Sequence, residues 1–287
     1  MVEKTRIGGV HMHVRSVANE LRRLGFDVDI ITRVEDLGQP HFIQSYQYMK
    51  KFFSKLAQEY DVVHAHDWSI AYPAVRAGIN NLIATFHGFP RHLFAEFFQN
   101  AAVSMLGNRA VVVSPKMLLK YACATYIPNG VDVNIFKRIN TAKIFSRFSP
   151  CYLGIAQKYS RDQVFRIARE LCFQTIVAEK IPYDQMPKFY SSLDVFVSVP
   201  PSTAGFNLVW LEAMACEVPY IVGTDAGVGE ILPIYKVSNF NNLRTILAAI
   251  REGILPPLKG SRQWILENDF TWKHHARKLI KLYDATV

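Results

Sequence analysis

The residues with the clearest chemical potential lie between Ser202 and Pro219, directly after an apolar segment that predicts a buried strand. The segment reads as strand, polar glycine-containing turn, helix and strand. Backbone amides at the start of a helix lack intrahelical acceptors, and with the helix dipole they favour a bound phosphate. The pattern therefore predicts an anion site whose candidate residues are Ser202, Thr203, Gly205, Phe206, Asn207 and Leu208.

Glu212 stands further along the same predicted helix. Its carboxylate is able to accept hydrogen bonds from neighbouring hydroxyls, such as those of a ribose. The alternative is an ordinary turn between a strand and a helix, with Glu212 pointing at solvent. The local pattern alone leaves both interpretations open.

Histidines form a second group of candidate side chains. His64 and His66 are two positions apart in a predicted strand, so their side chains share a face and a metal site is geometrically possible. His11 and His13 are two apart in a predicted helix and do not share a face. Because the sequence shows no further ligand cluster, we predict no bound metal.

The elements that must position these residues are short β-branched segments alternating with helical patterns, which predict parallel sheets in doubly wound α/β layers. We predict strands at 27–32, 61–65, 82–86, 110–113, 125–128, 152–156, 175–178, 195–199 and 220–222. Helices are predicted at 9–25, 43–59, 69–78, 91–106, 115–122, 160–171, 184–192, 206–216, 240–252 and 260–267. Since open parallel sheets leave a crevice at the carboxyl ends of their strands, the candidate residues are expected at such edges.

The length of the chain, 287 residues of which 50% are hydrophobic, suits two domains. We predict a first domain at 1–136 and a second at 151–270. Residues 137–150 show no clean periodicity and are predicted to be a linker. No run of about 18 apolar residues and no signal-peptide pattern occur, so a soluble, intracellular protein is expected.

The four cysteines lie far apart, without a C-x-x-C pair, and each is embedded in apolar sequence. This spacing predicts reduced core residues rather than a disulfide or zinc framework. The four positions are Cys123, Cys151, Cys172 and Cys216.

The formal net charge is +9, and basic residues recur beside bulky apolar ones at 22–23, 48–55 and 91–98. Amphipathic helices of this kind are able to rest on an anionic membrane, which would suit a lipid-linked acceptor. The alternative is a generally basic surface that keeps the protein in solution. Nucleic acid is not an expected partner, because the basic residues are dispersed and no recognised motif is present.

A series of short motifs resembles, in order, those of the family 4 retaining glycosyltransferases, which have the GT-B fold. The motifs are Gly8-Gly9-Val10 with His13, Asp61 to Asp67, Thr85-Phe-His-Gly88, Val111 to Ser114, Ile127 to Asp132 with Phe136, Glu212-Ala-Met-Ala215, Thr224-Asp225 with Glu230, and Phe270-Thr-Trp272. The resemblance spans nearly the whole chain. It implies two Rossmann-like domains facing across a cleft, the first binding the acceptor and the second the nucleotide sugar. It also implies a terminal helix at 271–287 that packs back on the first domain.

The resemblance further implies transfer of a sugar from a nucleoside diphosphate to a hydroxyl of a glycan or lipid-linked acceptor, with retention at the anomeric carbon. His87 corresponds to the family's histidine that hydrogen-bonds the donor sugar near the reacting centre. Ile181 falls in a turn, 180–183, that resembles the family's base-contacting turn. An acceptor and phosphate loop is implied at Gly8, Gly9, His13 and His66. No metal or other cofactor is implied, since protein groups stabilise the charge on the leaving diphosphate.

Three features depart from the family pattern. The strand that should precede Gly8 is missing, because residues 1–7 are few and polar. The second domain is one strand and helix short, so the usual arginine and lysine are absent and Lys158, Arg161 or Lys180 would have to substitute. Ala204 occupies the position of the first of the family's two glutamates.

These departures keep two other classes of function open. One is a non-catalytic or regulatory GT-B protein that binds a nucleotide, and the other is a GT-B sugar epimerase. A phosphorylase is disfavoured, because no lysine positioned to hold pyridoxal phosphate is recognisable.

Overall fold

The structure is a computed structural model that describes residues 9–31, 42–140, 152–155 and 160–286, with side chains from residue 50 onward in the helix that begins at residue 42. Several positions that the sequence singled out lie outside these ranges. They are the opening segment 1–7, Gly8, most of the predicted linker, Cys151 and Lys158.

The chain divides into two compact units, Met1–Asn129 with Trp272–Val287, and Gly130–Thr271. Residues 130–136, which the sequence analysis placed in the first domain, therefore belong to the second unit. The reason is packing, because Val131 and Phe136 are buried in the apolar core around α8 (Leu208–Ala215).

The described part of the first unit contains a four-stranded parallel sheet in the order β1-β2-β3-β4. The strands are β1 (Val63–His66), β2 (Leu82–Phe86), β3 (Ala110–Val112) and β4 (Thr125–Tyr126). The helices are α1 (Gly9–Arg23), α2 (Phe42–Glu59), α3 (Trp68–Arg76), α4 (Leu93–Leu106), α5 (Pro115–Lys120) and α11 (Trp272–Asp284). Every residue of β2 and β3 is buried, as expected for parallel strands covered on both faces.

The described part of the second unit contains five parallel strands in the order β6-β5-β7-β8-β9. They are β5 (Tyr152–Ile155), β6 (Gln174–Val177), β7 (Val195–Val197), β8 (Tyr220–Gly223) and β9 (Tyr235–Lys236). The helices are α6 (Arg161–Glu170), α7 (Met186–Ser191), α8, α9 (Phe240–Arg251) and α10 (Ser261–Glu267). The strand order reverses at β5, which places the ligand crevice of such a sheet beyond the carboxyl ends of β5 and β7.

The predicted doubly wound, parallel α/β class is confirmed, and most predicted elements fall within two residues of the observed ones. The strand predicted at 27–32 is wrong, because residues 27–31 are irregular and Ile30 and Ile31 are exposed. No described segment pairs with the free edge of β1, so these β-branched residues lack a ladder to join. The short strand β9 was not predicted.

The prediction that the cysteines lie in the core is wrong for two of them. Cys123 and Cys172 are exposed, and Cys216 is buried, while all three are free thiols. Cys172 follows α6 with a φ of 57°, in the turn that leads to β6, so its apolar sequence neighbours do not bury it.

Candidate functional site

The turn before α8 leaves the start of that helix open. Asn207 occupies the N-cap position, but its side chain does not cap the helix and instead donates from Nδ2 to Ser198 Oγ at 2.8 Å. In the described part of the chain, the amides of Phe206 and Leu208 donate to no protein acceptor. Two unused donors at the positive end of a helix dipole suit an anionic group such as a phosphate.

A second loop supports this turn by backbone contact. Gly227 has a φ of 54°, and a Cβ built on it would lie 2.4 Å from the carbonyl oxygen of Gly205. A glycine is therefore required for two reasons, the left-handed conformation and the close approach of the two backbones.

Replacing Gly227 by alanine is expected to lower the free energy of unfolding by about 1–3 kcal/mol and to displace the turn before α8. Urea denaturation of the variant measures the loss. Gly253 supplies the matched control, since it has a φ of 72° but open space around its Cβ position. Equal losses in Gly227→Ala and Gly253→Ala would show that the contact with Gly205 contributes nothing.

Glu212 lies on α8 and is only 8% exposed. Tyr190 donates its hydroxyl to Glu212 Oε2 at 2.7 Å. Burial raises the pKa of Glu212 to about 7, and the hydrogen bond from Tyr190 opposes that rise. The alternative interpretation, in which Glu212 points at solvent, is therefore wrong, because α8 turns this face toward the core.

Glu212 also lies beside the turn that resembles a base-contacting segment. Burial and the charge of Glu212 both raise the pKa of Tyr183, which belongs to that turn. Ile181, Tyr183 and Phe206 pack against one apolar core with the buried residues of α8. The fold thus brings the predicted ribose acceptor and the predicted base-contacting turn together within the second unit.

A pocket of about 360 Å³ opens beyond the ends of β7 and β8. Ser202, Thr224 and Asp225 contribute to its wall, and Asn239 lies at the start of α9. Glu212 does not line this pocket. Ser202 and Glu212, which the sequence placed in one site, therefore do not share this pocket.

The candidate cations differ in their surroundings. Arg161 forms an ion pair with Glu179 and stacks over Phe165, with its guanidinium carbon 5.4 Å from the ring centroid. Lys180 is exposed and has a φ of 57°. Arg161 is thus engaged by a carboxylate, and Lys180 is the candidate cation of the described residues that extends into solvent.

The first unit gathers five histidines, His13, His64, His66, His87 and His275, around the ends of β1 and β2. His66 on β1 pairs with Thr85 on β2. His87 comes two residues after Thr85, so it lies just beyond the end of β2 and close to His66. Nδ1 of His66 lies 3.1 Å from Nε2 of His87. The ring of His13 lies 4.6 Å from that of His87 and 5.3 Å from that of His66, measured between centroids.

The other hydrogen-bond contacts of this histidine cluster each hold one imidazole ring in its orientation. Nδ1 of His13 contacts Asn129 Oδ1 at 2.8 Å, and Nδ1 of His275 contacts the carbonyl oxygen of Pro128 at 2.7 Å. His64 is held at both nitrogens, by Tyr283 and Thr85. Burial lowers the pKa of all five histidines, so the cluster is neutral at pH 7.

Asp67 connects the cluster to α3 through a strained backbone. Its φ of 63° and ψ of 162° fall in a region that residues other than glycine rarely adopt. Its Oδ1 accepts a hydrogen bond from the backbone amide of His87 at 3.1 Å. The strained residue thus orients His87, and its charge partly offsets the lowering of the His87 pKa.

Of the implied acceptor residues, His13 and His66 meet in this cluster, while Gly9 begins α1 with open space around its Cβ position. Sequence reasoning missed the contributions of His275, Asn129 and Tyr190. The rule that parallel strands end at one edge is sufficient to place His66 beside His87. Only the packing of α1 and α11 on the sheet adds His13 and His275.

Profiles of two protein families match the sequence. The profile described as Glycosyltransferase Family 4 matches residues 7–135, and that described as Glycosyl transferases group 1 matches residues 147–240. Together they span most of both units.

The uncharacterized glycosyltransferase MJ1607 of Methanocaldococcus jannaschii is 22% identical over 377 residues, covering 98% of this chain and 95% of that protein. A second uncharacterized glycosyltransferase of the same organism, MJ1178, is 22% identical over 342 residues, covering 97% of this chain and 95% of that protein. Both alignments exceed the 287 residues of this chain, so the relatives carry segments that it lacks.

Among solved structures, Anabaena Alr3699/HepE in complex with UDP superposes with a TM-score of 0.67 at 17% identity, covering 99% of this chain and 98% of that chain. Sucrose-phosphate synthase from Thermosynechococcus elongatus superposes with a TM-score of 0.65 at 17% identity, covering 97% of this chain and 93% of that chain. At these identities the superpositions establish the fold.

None of the helices in the described residues is both long and apolar enough to cross a membrane.

Proposed function

The chain belongs to the family 4 type of GT-B glycosyltransferases, and from this premise we propose that it transfers a sugar from a nucleoside diphosphate to a hydroxyl acceptor with retention at the anomeric carbon. The observation that carries the donor assignment is the open start of α8, where the amides of Phe206 and Leu208 have no acceptor within the described residues. Glu212 lies on the same helix, beside the turn that contains Tyr183. Anabaena HepE, a structural neighbour, holds UDP and glucose.

In this proposal the chain binds the donor through three groups. The amides before α8 hold a phosphate, the Glu212 carboxylate accepts from the ribose hydroxyls, and the turn at Ile181 contacts the base. Bond cleavage moves negative charge onto the departing diphosphate, and fixed amide dipoles stabilise that charge without reorganising. His87 is neutral and held by Asp67, so it is able to hydrogen-bond a sugar hydroxyl near the reacting carbon.

The direct experiment incubates the protein with a panel of nucleotide sugars and measures released nucleoside diphosphate. Transferase function predicts release that depends on an added hydroxyl acceptor, and proton NMR of the product reports whether the anomeric configuration is retained. Nucleotide binding without turnover for any donor would favour the non-catalytic alternative, and isomerised free sugar nucleotide would favour the epimerase.

One observation favours the non-catalytic alternative, namely the missing glutamate at Ala204. Ala204→Glu is therefore expected to raise turnover about tenfold, because a carboxylate there would stabilise positive charge developing on the sugar. Steady-state kinetics with saturating donor measures the gain. Ser202→Glu adds the same charge two positions earlier, and an equal gain in that variant would show that the effect is not specific to position 204.

A membrane surface is the proposed location of the acceptor. At the start of α4, Leu93, Phe94 and Phe97 are 85%, 60% and 65% exposed. α4 packs against α3, which packs against α2, where Lys50, Lys51 and Lys55 are exposed. The exposed aromatic rings of α4 suit the apolar interior of a bilayer, and the exposed lysines of α2 suit its anionic headgroups.

Phe94→Ser combined with Phe97→Ser is expected to lower binding to vesicles rich in phosphatidylglycerol by about 30-fold or more, since each inserted ring contributes on the order of 1–2 kcal/mol. Flotation on a sucrose gradient measures bound protein. Ile254→Ser removes an exposed apolar side chain from the second unit and is expected to have no effect. Unchanged flotation of the double variant would place the membrane contact elsewhere or remove it.

A further inference from the structure

The histidine cluster contains a buried nitrogen that nothing in the described chain satisfies. His13 is 0% exposed, and its Nε2 has no hydrogen-bond partner among the described residues. Its Nδ1 is bonded to Asn129 Oδ1, an oxygen that only accepts, so Nδ1 carries the proton and Nε2 presents a bare lone pair. A buried acceptor without a donor is costly and calls for an explanation.

The bare nitrogen belongs to a group with the composition of a metal site. One ring nitrogen from each of His13, His66 and His87 can be chosen so that all three lie within 4.8 Å of one another. Because Asn129 occupies Nδ1 of His13, Nε2 is the nitrogen that His13 offers. A tetrahedral zinc ion with nitrogen ligands at about 2.1 Å holds them about 3.4 Å apart, so the three rings would move closer together on binding.

We propose that His13, His66 and His87 form a binding site for a divalent transition-metal ion of the zinc type. The ligand chemistry fits, because three imidazoles without a carboxylate or thiolate suit zinc and its neighbours rather than magnesium or calcium. The contact from Asn129 to His13 fixes the tautomer of a ligand from outside the coordination sphere, as is usual for zinc-bound histidine.

The proton balance of the site is also compatible with a metal. Nδ1 of His66 and Nε2 of His87 are joined by a hydrogen bond, so one of the two nitrogens carries a proton. Both nitrogens must be deprotonated to coordinate an ion. The ring that carries this proton changes tautomer and places it on its other nitrogen. All three ligands remain neutral in this arrangement.

Two neighbouring histidines are not ligands in this arrangement. His64 is engaged at both nitrogens by Tyr283 and Thr85. His275 also has a buried Nε2 without a partner among the described residues, and its ring centroid lies 4.9 Å from that of His13, but His275 is not in the group whose nitrogens lie within 4.8 Å of one another. Three protein ligands leave the fourth tetrahedral position to water.

The test is metal binding by the full chain, purified without a histidine tag and stripped with a chelator. Isothermal titration with ZnCl₂ is expected to give one ion per chain, and Co²⁺ is expected to give the visible absorption bands of a tetrahedral site. His66→Gln and His87→Gln are each expected to weaken zinc binding by about 100-fold or more. Both variants keep the fully buried His13, and circular dichroism checks that each is folded.

The matched controls are His11→Gln and His92→Gln, which remove histidines of the same unit outside the cluster, and Cys123→Ser, which removes an exposed thiol. All three are expected to bind zinc as the unaltered protein does. Unchanged zinc affinity in both His66→Gln and His87→Gln would overturn the proposal, as would the absence of binding to the unaltered protein. The measurement uses no nucleotide, so its outcome is independent of the proposed transferase activity.

Discussion

His87→Ala is expected to lower kcat for sugar transfer by about 100-fold or more, with little change in the affinity for nucleoside diphosphate. The neutral imidazole lies at the end of β2, where Asp67 accepts from its backbone amide and His66 contacts its Nε2. A hydrogen bond from this ring to the donor sugar would strengthen as charge develops, so its loss raises the barrier rather than the dissociation constant.

The measurement is steady-state kinetics in the presence of a chelator, so that a loss of metal does not enter the result. His92→Ala removes an exposed histidine from the same unit and is expected to retain full activity. His87→Gln keeps a hydrogen-bonding side chain and is expected to recover part of the rate. Full activity in His87→Ala would remove His87 from the reacting centre.

Glu212→Gln is expected to weaken nucleoside-diphosphate binding by about 10–100-fold, because a hydrogen bond to a charged acceptor contributes about 1.5–3 kcal/mol. In the unaltered protein, affinity is expected to fall as the pH drops through about 7, where the carboxylate takes up a proton. The variant is expected to lose this pH dependence. Isothermal titration across pH 5.5–8.5 measures both effects.

The same substitution is expected to stabilise the free protein. The pKa of Glu212 is raised from 4.5 to about 7 on folding, so the folded state holds its proton more tightly than the unfolded state. Stability therefore falls as the pH rises from about 4.5 to about 7 and stays level above that value. Removing the ionisable group is expected to increase the free energy of unfolding above pH 7 by up to about 3 kcal/mol, and to change nothing below pH 4.5.

Glu252→Gln, at an exposed position after α9, supplies the control and is expected to alter neither binding nor stability. Glu212→Gln is thus expected to weaken nucleotide binding and to increase the free energy of unfolding. This combination is expected where a buried charge is retained for binding at the expense of stability. Tighter folding without weaker binding in Glu212→Gln would leave the buried carboxylate without a role in nucleotide recognition.

The sequence by itself determined the fold class and most elements, because these depend on local patterns. Apolar runs such as 82–86 and 110–112 predict buried parallel strands wherever the chain places them. The turn before α8 was equally recognisable, since glycine and polar residues between a strand and a helix have a local meaning. The strand prediction at 27–32 was wrong because it used local patterns alone. A strand also needs a neighbouring strand whose backbone completes its hydrogen bonds.

Only the tertiary structure decided what surrounds each candidate side chain. Glu212 receives its hydrogen bond from Tyr190 and its raised pKa from burial, and neither is a property of the residues next to it in sequence. His13 meets His66 and His87 because α1 packs over the ends of β1 and β2. The pKa of a group and the ligands of an ion depend on distances between residues remote in the chain. Packing alone sets those distances. For that reason the strands that carry the histidines were predicted from the sequence, but the histidine cluster was not.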